Sequence, residues 1–283
     1  MRAVLGIDAA WTDRQPSGVA LEIEQPDGWH LKAVAASYLQ FLAATDEGTG
    51  QDKPTSLLPD VQSLLASAEA LCGQAVDLVA IDMPLARTAI SGRRASDNAI
   101  SRCYGNRWAA AHSLSSFRPG RISDELRFDF ETAGFPLRTS GNVSQGLVEV
   151  YPHPALIEFM EAAQRRPYKY AKRRKYWPLL SAASCKVFIR DEWWRISDYL
   201  NNEINGVRSA LPQFDSESLT SVEWKAREDM LDAIVCVAVG ICVLEGRAIP
   251  FGDDDSAIWV PKPGCARPPS RRSVISIRSG YVG

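Results

Sequence analysis

Two runs in this chain share one pattern, and that pattern constrains the fold more than anything else in the sequence. Ala3 to Ile7 is continuously apolar and ends on Asp8, while Val76 to Ile81 is apolar apart from Asp77, ends on Asp82 and is stopped by Pro84. Continuous apolar runs, as opposed to alternating ones, belong to strands covered on both faces, as in a parallel sheet between helices. Parallel neighbours need a crossover of a dozen or more residues, usually a helix. The segment opening at Pro59 and running to Cys72 supplies it, with Val61, Leu64, Leu65, Ala68 and Leu71 at three- and four-residue spacing. Before it, Gly18 to Glu24 and Trp29 to Tyr38 read as extended segments about the turn Pro26-Asp27-Gly28, which predicts an antiparallel three-stranded meander.

Further along, Gly48 to Ser56 reads as a polar loop, and Pro84 to Gln145 as an insertion with little periodicity except a helix over Ala95 to Tyr104. Leu147 to Tyr151 is a short strand cut off by the turn Pro152-His153-Pro154, with a helix over Ala155 to Ala163 after it. Trp177 to Ile204 predicts one or two helices, Val222 to Glu245 the longest helix, and Ala257 to Val260 a last strand before a Pro/Arg/Ser-rich end. A length of 283 residues suits two small domains or one elaborated one. The order of elements favours one domain over residues 1–261, carrying the insertion at about 84–145, with a basic tail at 262–283.

Composition removes other classes. With 46% hydrophobic and 23% charged residues the chain is neither disordered nor fibrous. Its longest apolar stretch, Ala233 to Leu244, is 12 residues long, short of the roughly 20 that a membrane span requires. No export signal is visible at the N-terminus, and the six cysteines, Cys72, Cys103, Cys185, Cys236, Cys242 and Cys265, form no CxxC pair. Reduced thiols and a cytoplasmic location are the expectation.

The acids carry the chemistry. Asp8 and Asp82 end apolar strands, Glu149 lies inside a third, and Asp229 and Asp232 share a face of the last long helix just before its apolar stretch. The carboxyl ends of parallel strands form a functional crevice. Carboxylates gathered there repel one another and take up protons unless a cation neutralises them. Mg²⁺ or Mn²⁺ suits such hard oxygen ligands, and a pair of ions about 4 Å apart serves in-line displacement at phosphorus. Each acid taken alone would equally cap a helix or face solvent; the joint pattern gives Asp8, Asp82, Glu149, Asp229 and Asp232 as metal candidates.

At these residues the sequence resembles the RNase H-like superfamily, with acids like those of RuvC-type resolvases. The ordered set GIDAAW, AIDMPL, GRRASDNAISR, VEVYPHPAL, PYKYAK and DAIVC, spanning about residues 3 to 261, more closely resembles the domain-of-unknown-function 429 family, an uncharacterised family described as predicted nucleases with an RNase H-like fold. The resemblance implies a mixed five-stranded sheet flanked by helices. It also implies a metal-dependent phosphodiesterase in which Asp8 bridges two metal ions while Asp82, Glu149 and Asp232 complete the shell. Glu149 departs from the better-known nucleases in lying on a strand instead of a helix.

Basic residues are segregated although the net charge is −2: residues 83–123 hold seven Arg and one Asp, 165–175 seven basic residues and no acid, and 262–283 five. Phosphate binding to DNA or RNA would use such segments. Arg93, Arg94 and Arg102 beside the acids are candidate phosphate clamps, with Asp97 orienting one of them. Lys169 and Lys172 lie among Tyr168 and Tyr170, whose rings would stack on unpaired bases. The other reading of these segments, as solvated helix faces or loops, stays open. Of three histidines, His153 is placed to relay a proton, His112 to touch substrate, and His30 is a strand residue. Asp253, Asp254 and Asp255 are adjacent acids that do not converge on one ion. An ATP-dependent phosphotransferase of the actin-like class, or a silent RNase H-like module that binds nucleic acid, would use a related core.

Overall fold

The two acid-terminated runs lie side by side. In the computed structural model, which describes residues 1–44, 54, 60–213 and 219–264, β1 (Ala3–Asp8) pairs in parallel with β4 (Leu78–Asp82), in a register that sets Asp8 against Asp82. β2 (Gly18–Gln25) and β3 (Gly28–Ala35) form the antiparallel meander beside β1. β5 (Gly146–Val150) continues the parallel part next to β4. The expected sheet of five strands is extended at both edges. β6 (Ile204–Asn205) adds to β3, while β7 (Ala248–Gly252) and β8 (Ala257–Pro261) form a hairpin beside β5, giving the order β6-β3-β2-β1-β4-β5-β8-β7. β7 left no signal in the sequence because it is a half-exposed edge strand interrupted by Pro250.

Helices cover both faces. On one side α1 (Tyr38–Ala43), α2 (Val61–Cys72) and α4 (Arg121–Thr132) pack against Leu5, Ile7, Val79 and Ile81. On the other, α5 (Pro152–Phe159), α7 (Ala182–Glu203) and α9 (Ser221–Leu244) pack against Val4, Leu78, Ala80 and Val148. The remaining α-helices among the described residues are α3 (Ala95–Tyr104) and the short α6 (Arg173–Tyr176) and α8 (Val207–Ala210). Among the described residues no helix is long and apolar enough to cross a membrane, and the five described cysteines are free. Cys265, the tail beyond residue 264 and most of the 48–56 loop lie outside the described residues.

Local chemistry explains the shifted boundaries. β3 stops before Tyr38 because the Ser37 hydroxyl accepts from the Gln40 N–H at 3.2 Å and caps α1. α2 opens at Asp60, whose carboxylate accepts from the Gln62 N–H, and closes at Gly73 in the left-handed region; Pro59 lies outside the described residues. Pro152 occupies the first turn of α5, a position whose N–H would be free anyway, so His153 sits inside the helix and not in a separate turn. α4 hid in the insertion because three apolar residues, Ile122, Leu126 and Phe130, are its whole inward stripe among charges.

One buried acid has no hydrogen-bond partner in this packing among the described residues. Glu22 pairs with Val4 and Leu31 on the α9 side of the sheet, is 0% exposed, and neither carboxylate oxygen has a hydrogen-bond partner among the described residues. Burial raises its pKa well above the ordinary carboxylate value, so the folded chain holds it neutral while the unfolded chain ionises it. The folded state binds the extra proton, and stability therefore falls as pH rises above about 4.3. Glu22→Met is expected to raise stability by about 1–3 kcal/mol, with a larger gain at pH 8 than at pH 5. Urea denaturation at both values checks this, and a variant no more stable than wild type at pH 8 would contradict it.

Candidate metal centre

Strand alternation decides which acids meet. Along β1, Val4 faces α9 while Leu5 and Ile7 face the opposite layer, so Asp8 returns to the α9 side. β4 repeats the pattern, with Leu78 and Ala80 toward α9, Val79 and Ile81 away, and Asp82 toward α9 again. On α9 the face over the sheet runs Asp229, Asp232, Cys236 and Gly240 at helical spacing, acidic at its start and small and apolar beyond.

Two glycines let that helix come close. A Cβ on Gly6 would lie 2.3 Å from the carbonyl oxygen of Ala233, and one on Gly18 would lie 2.1 Å from that of Asp229. With hydrogens there instead, α9 rests directly on β1 and β2 beside Asp8. Carboxylate oxygens of Asp8, Asp82 and Asp232 consequently lie within 4.8 Å of one another.

Such crowding raises proton affinity. Burial, and then the charge of Asp229, pushes Asp8 up to about 7. Burial, followed by Asp8 and Asp232, holds Asp82 well above the ordinary range. Asp232 is raised by burial against the pull of Lys169, and Asp229 by burial against that of Lys225. Lys169 ion-pairs with Asp232, Lys225 with Asp229, and the Tyr168 hydroxyl donates to Asp232 Oδ1 at 2.6 Å. Glu228, pushed up to about 7 by burial, accepts the Tyr170 N–H. Asp229 Oδ2 is buried with no hydrogen-bond partner among the described residues. Oxygen donors of this charge and spacing, one of them orphaned, fit a hard divalent cation.

Glu149 lines the same cleft and its charge adds to the raised proton affinity of Asp82, but it lies outside the three-aspartate cluster. It is the register partner of Ile81 and shares the face of Leu147, away from α9. There it accepts from the Leu85 N–H at 2.8 Å and from both terminal nitrogens of Arg94, at 2.5 and 2.8 Å. Arg94 also donates to Asp97 at 2.8 and 3.2 Å and to the Leu85 carbonyl at 2.5 Å, so its guanidinium is fully engaged. Asp97 thus orients Arg94. Arg93 is spent within α3, on Asn98, the Asp97 carbonyl and Ser101, and Arg102 is an exposed residue in the last turn of the same helix.

Asp8, Asp82 and Asp232 line a cleft of about 550 Å³, shared with His153, Lys169 and Lys172, with Arg118 and Arg165 of two basic segments, and with Trp11, Lys225 and Glu228, none of which was a candidate from sequence. Lys225 and Glu228 had a signal, standing four residues before Asp229 and Asp232 respectively on one helix. Arg118 belongs to the basic 83–123 segment, whereas Trp11 had no signal, because an irregular loop brings it in. His112 also lines the cleft. His153 is buried between the rings of Tyr151 and Tyr168, and burial, with Arg165 and Lys169 adding to it, depresses its pKa far below the usual histidine value. Tyr168 is fully buried, and Tyr170 stacks on Trp224 at 5.4 Å beneath Arg173, so neither ring is free to receive a base. Asp253 and Asp255 shape the β7–β8 turn: Asp253 accepts from the N–H of Asp255 and of Ser256, and Asp255 bonds Thr88. Two of the three basic segments, through Arg118 and through Arg165, Lys169 and Lys172, reach the one cleft.

A family model described as "Protein of unknown function (DUF429)" matches residues 6–257. No curated protein and no solved structure gave a significant match.

Proposed function

From a chain that belongs to the DUF429 family, we propose a divalent-metal-dependent phosphodiesterase acting on nucleic acid. The observation that carries this reading is the meeting of Asp8, Asp82 and Asp232, from two parallel strands and a helix, with oxygens within 4.8 Å in a cleft that also collects lysines and arginines. Central strands in the order β3-β2-β1-β4-β5, with only β2 antiparallel to its neighbours, support an RNase H-like core.

Asp8, Asp82 and Asp232 would hold Mg²⁺ or Mn²⁺, with Asp229 beside them. The chemistry such an ion supplies is acidification of bound water and neutralisation of charge on phosphate oxygens. The rest is done by side chains of the protein. Tyr168 and Lys169 fix the Asp232 carboxylate, and Lys225 fixes Asp229. His153 is neutral at physiological pH and too weakly basic to store a proton well, which suits a hydrogen-bonding role better than that of general base. Glu149 acts one step removed, holding Arg94 and through it the start of α3.

Calorimetry with Mn²⁺, and incubation of single- and double-stranded DNA and RNA with Mg²⁺, Mn²⁺ or EDTA, test the proposal. Binding heat and cleavage abolished by EDTA are expected. No heat and no cleavage of any of the four substrates would overturn it.

A further inference from the structure

Six cationic side chains line the cleft, and they divide into two kinds. Arg94, Lys169 and Lys225 each pair with a buried carboxylate. Arg118, Arg165 and Lys172 have no carboxylate within ion-pair distance among the described residues. These three gather about His112: burial lowers its proton affinity first, and Arg165, Lys172 and Arg118 lower it further. Three uncompensated cations converging in a concave site call for an anion from outside.

An aromatic surface adjoins them. Trp11, three residues beyond Asp8, packs edge-on against His112 with ring centroids 6.0 Å apart, and the Arg118 guanidinium lies 5.6 Å from the Trp11 ring centroid. Next to Arg118, Phe117 is 93% exposed at the tip of a turn closed by hydrogen bonds between Ser115 and Arg118. The cavity, about 550 Å³, is of the size that takes small molecules, roughly 300–1,000 Å³. A volume in that range matches a ligand of small-molecule size, such as a single nucleotide unit of a strand. A phosphodiester inside a duplex would need its strand unpaired to reach Asp232, which is only 2% exposed.

We propose that the cleft takes one unpaired strand of nucleic acid, with backbone phosphates on Arg118, Arg165 and Lys172 and a base against Trp11, and does not admit the intact duplex. The proposal rests on the phosphodiesterase reading for the reaction, while its geometry concerns binding alone.

The test is fluorescence anisotropy on the full chain in EDTA, with a labelled 12-nucleotide strand of mixed sequence, its duplex, and a nucleoside monophosphate as competitor. The strand is expected to bind at least tenfold tighter than the duplex and to resist competition by the monophosphate. Trp11→Ala should weaken binding about tenfold and Trp11→Phe should restore most of it. Joint Arg118→Ala and Arg165→Ala should flatten the salt dependence by about 1.4 logarithmic units per decade of salt. Equal affinity for strand and duplex, efficient competition by the monophosphate, or a Trp11→Ala variant that is folded by circular dichroism and binds like wild type would each overturn it. Strand binding of the expected kind without Mn²⁺-dependent cleavage would sink the hydrolytic reading and leave this one standing. Duplex cleavage undiminished by Trp11→Ala would do the reverse.

Discussion

Asp8→Asn is expected to lower metal-dependent cleavage by about a thousandfold or more while leaving the protein folded. Asp8 stands in register with Asp82, and after its own burial the charge of Asp229 raises its proton affinity further. Asparagine keeps the shape and one carbonyl oxygen but removes the charge that would offset a divalent ion; a loss of about 4 kcal/mol of transition-state stabilisation corresponds to that factor. Stability should move the other way. Asp8 has a folded pKa of about 7, against about 3.9 in an unfolded chain. The folded protein therefore binds the proton more tightly, and wild type loses stability as pH rises from about 4 through 7. An asparagine, which does not titrate, removes that loss, so without metal the variant should match wild type only near pH 4 and be increasingly more stable than it from pH 5 to pH 8. Rate measurements in saturating Mn²⁺ and thermal melts in EDTA check the two halves separately. Wild-type cleavage by Asp8→Asn would refute the assigned role, and a variant destabilised at pH 8 would show the carboxylate to be a structural element instead.

The acids at the ends of β1 and β4 were legible because period-two alternation and parallel register are both encoded locally. Each run has an apolar residue two and four positions before its aspartate, or a glycine under α9, so Asp8 and Asp82 inherit the face that α9 covers. Asp232 was legible for a similar reason, being the last acid before an apolar helical stretch that had to be buried. Glu149 lines the cleft from the other face of its strand, because Val148 and Val150 take the α9 side of β5. A sequence without a known register cannot supply that choice of face. What stayed hidden depends on loops and edges. Trp11, Arg118 and Arg165 reach the cleft from irregular segments, and the β7–β8 hairpin is joined through Asp253 and Asp255, whose hydrogen bonds run within the turn and to Thr88. Arg94 was singled out correctly as a residue near the acids, yet its fork is turned inward on Glu149 and Asp97.

That inward turn makes Arg94→Ala the substitution with the largest expected effect on stability. Arg94, Glu149 and Asp97 are 7%, 3% and 2% exposed, one cation between two anions. Burial works against the charge on Arg94, and Glu149 and Asp97 more than offset it. Glu149 is nonetheless pushed up to about 7 by its own burial, even with Arg94 and the Leu85 N–H pulling it down. Removing the guanidinium leaves two buried carboxylates facing each other, a loss of about 3–5 kcal/mol, which would lower Tm by roughly 10 °C in a chain of this size. The deficit should depend on pH. Without Arg94, Glu149 takes up a proton on folding more readily still, so the folded state binds more protons than the unfolded one and stability falls as pH rises above about 4.3. The variant should thus be nearer to wild type at pH 5.5 than at pH 8. Arg94→Lys should recover only part of the loss, because one ammonium cannot bond both carboxylates and the Leu85 carbonyl in the geometry of a planar fork. A residue that merely clamps substrate phosphate would give the opposite signature, a raised KM with an unchanged melting curve. Guanidinium denaturation at pH 5.5 and 8, set beside KM for cleavage, separates the two, and an Arg94→Ala protein as stable as wild type at pH 8 would overturn the structural role.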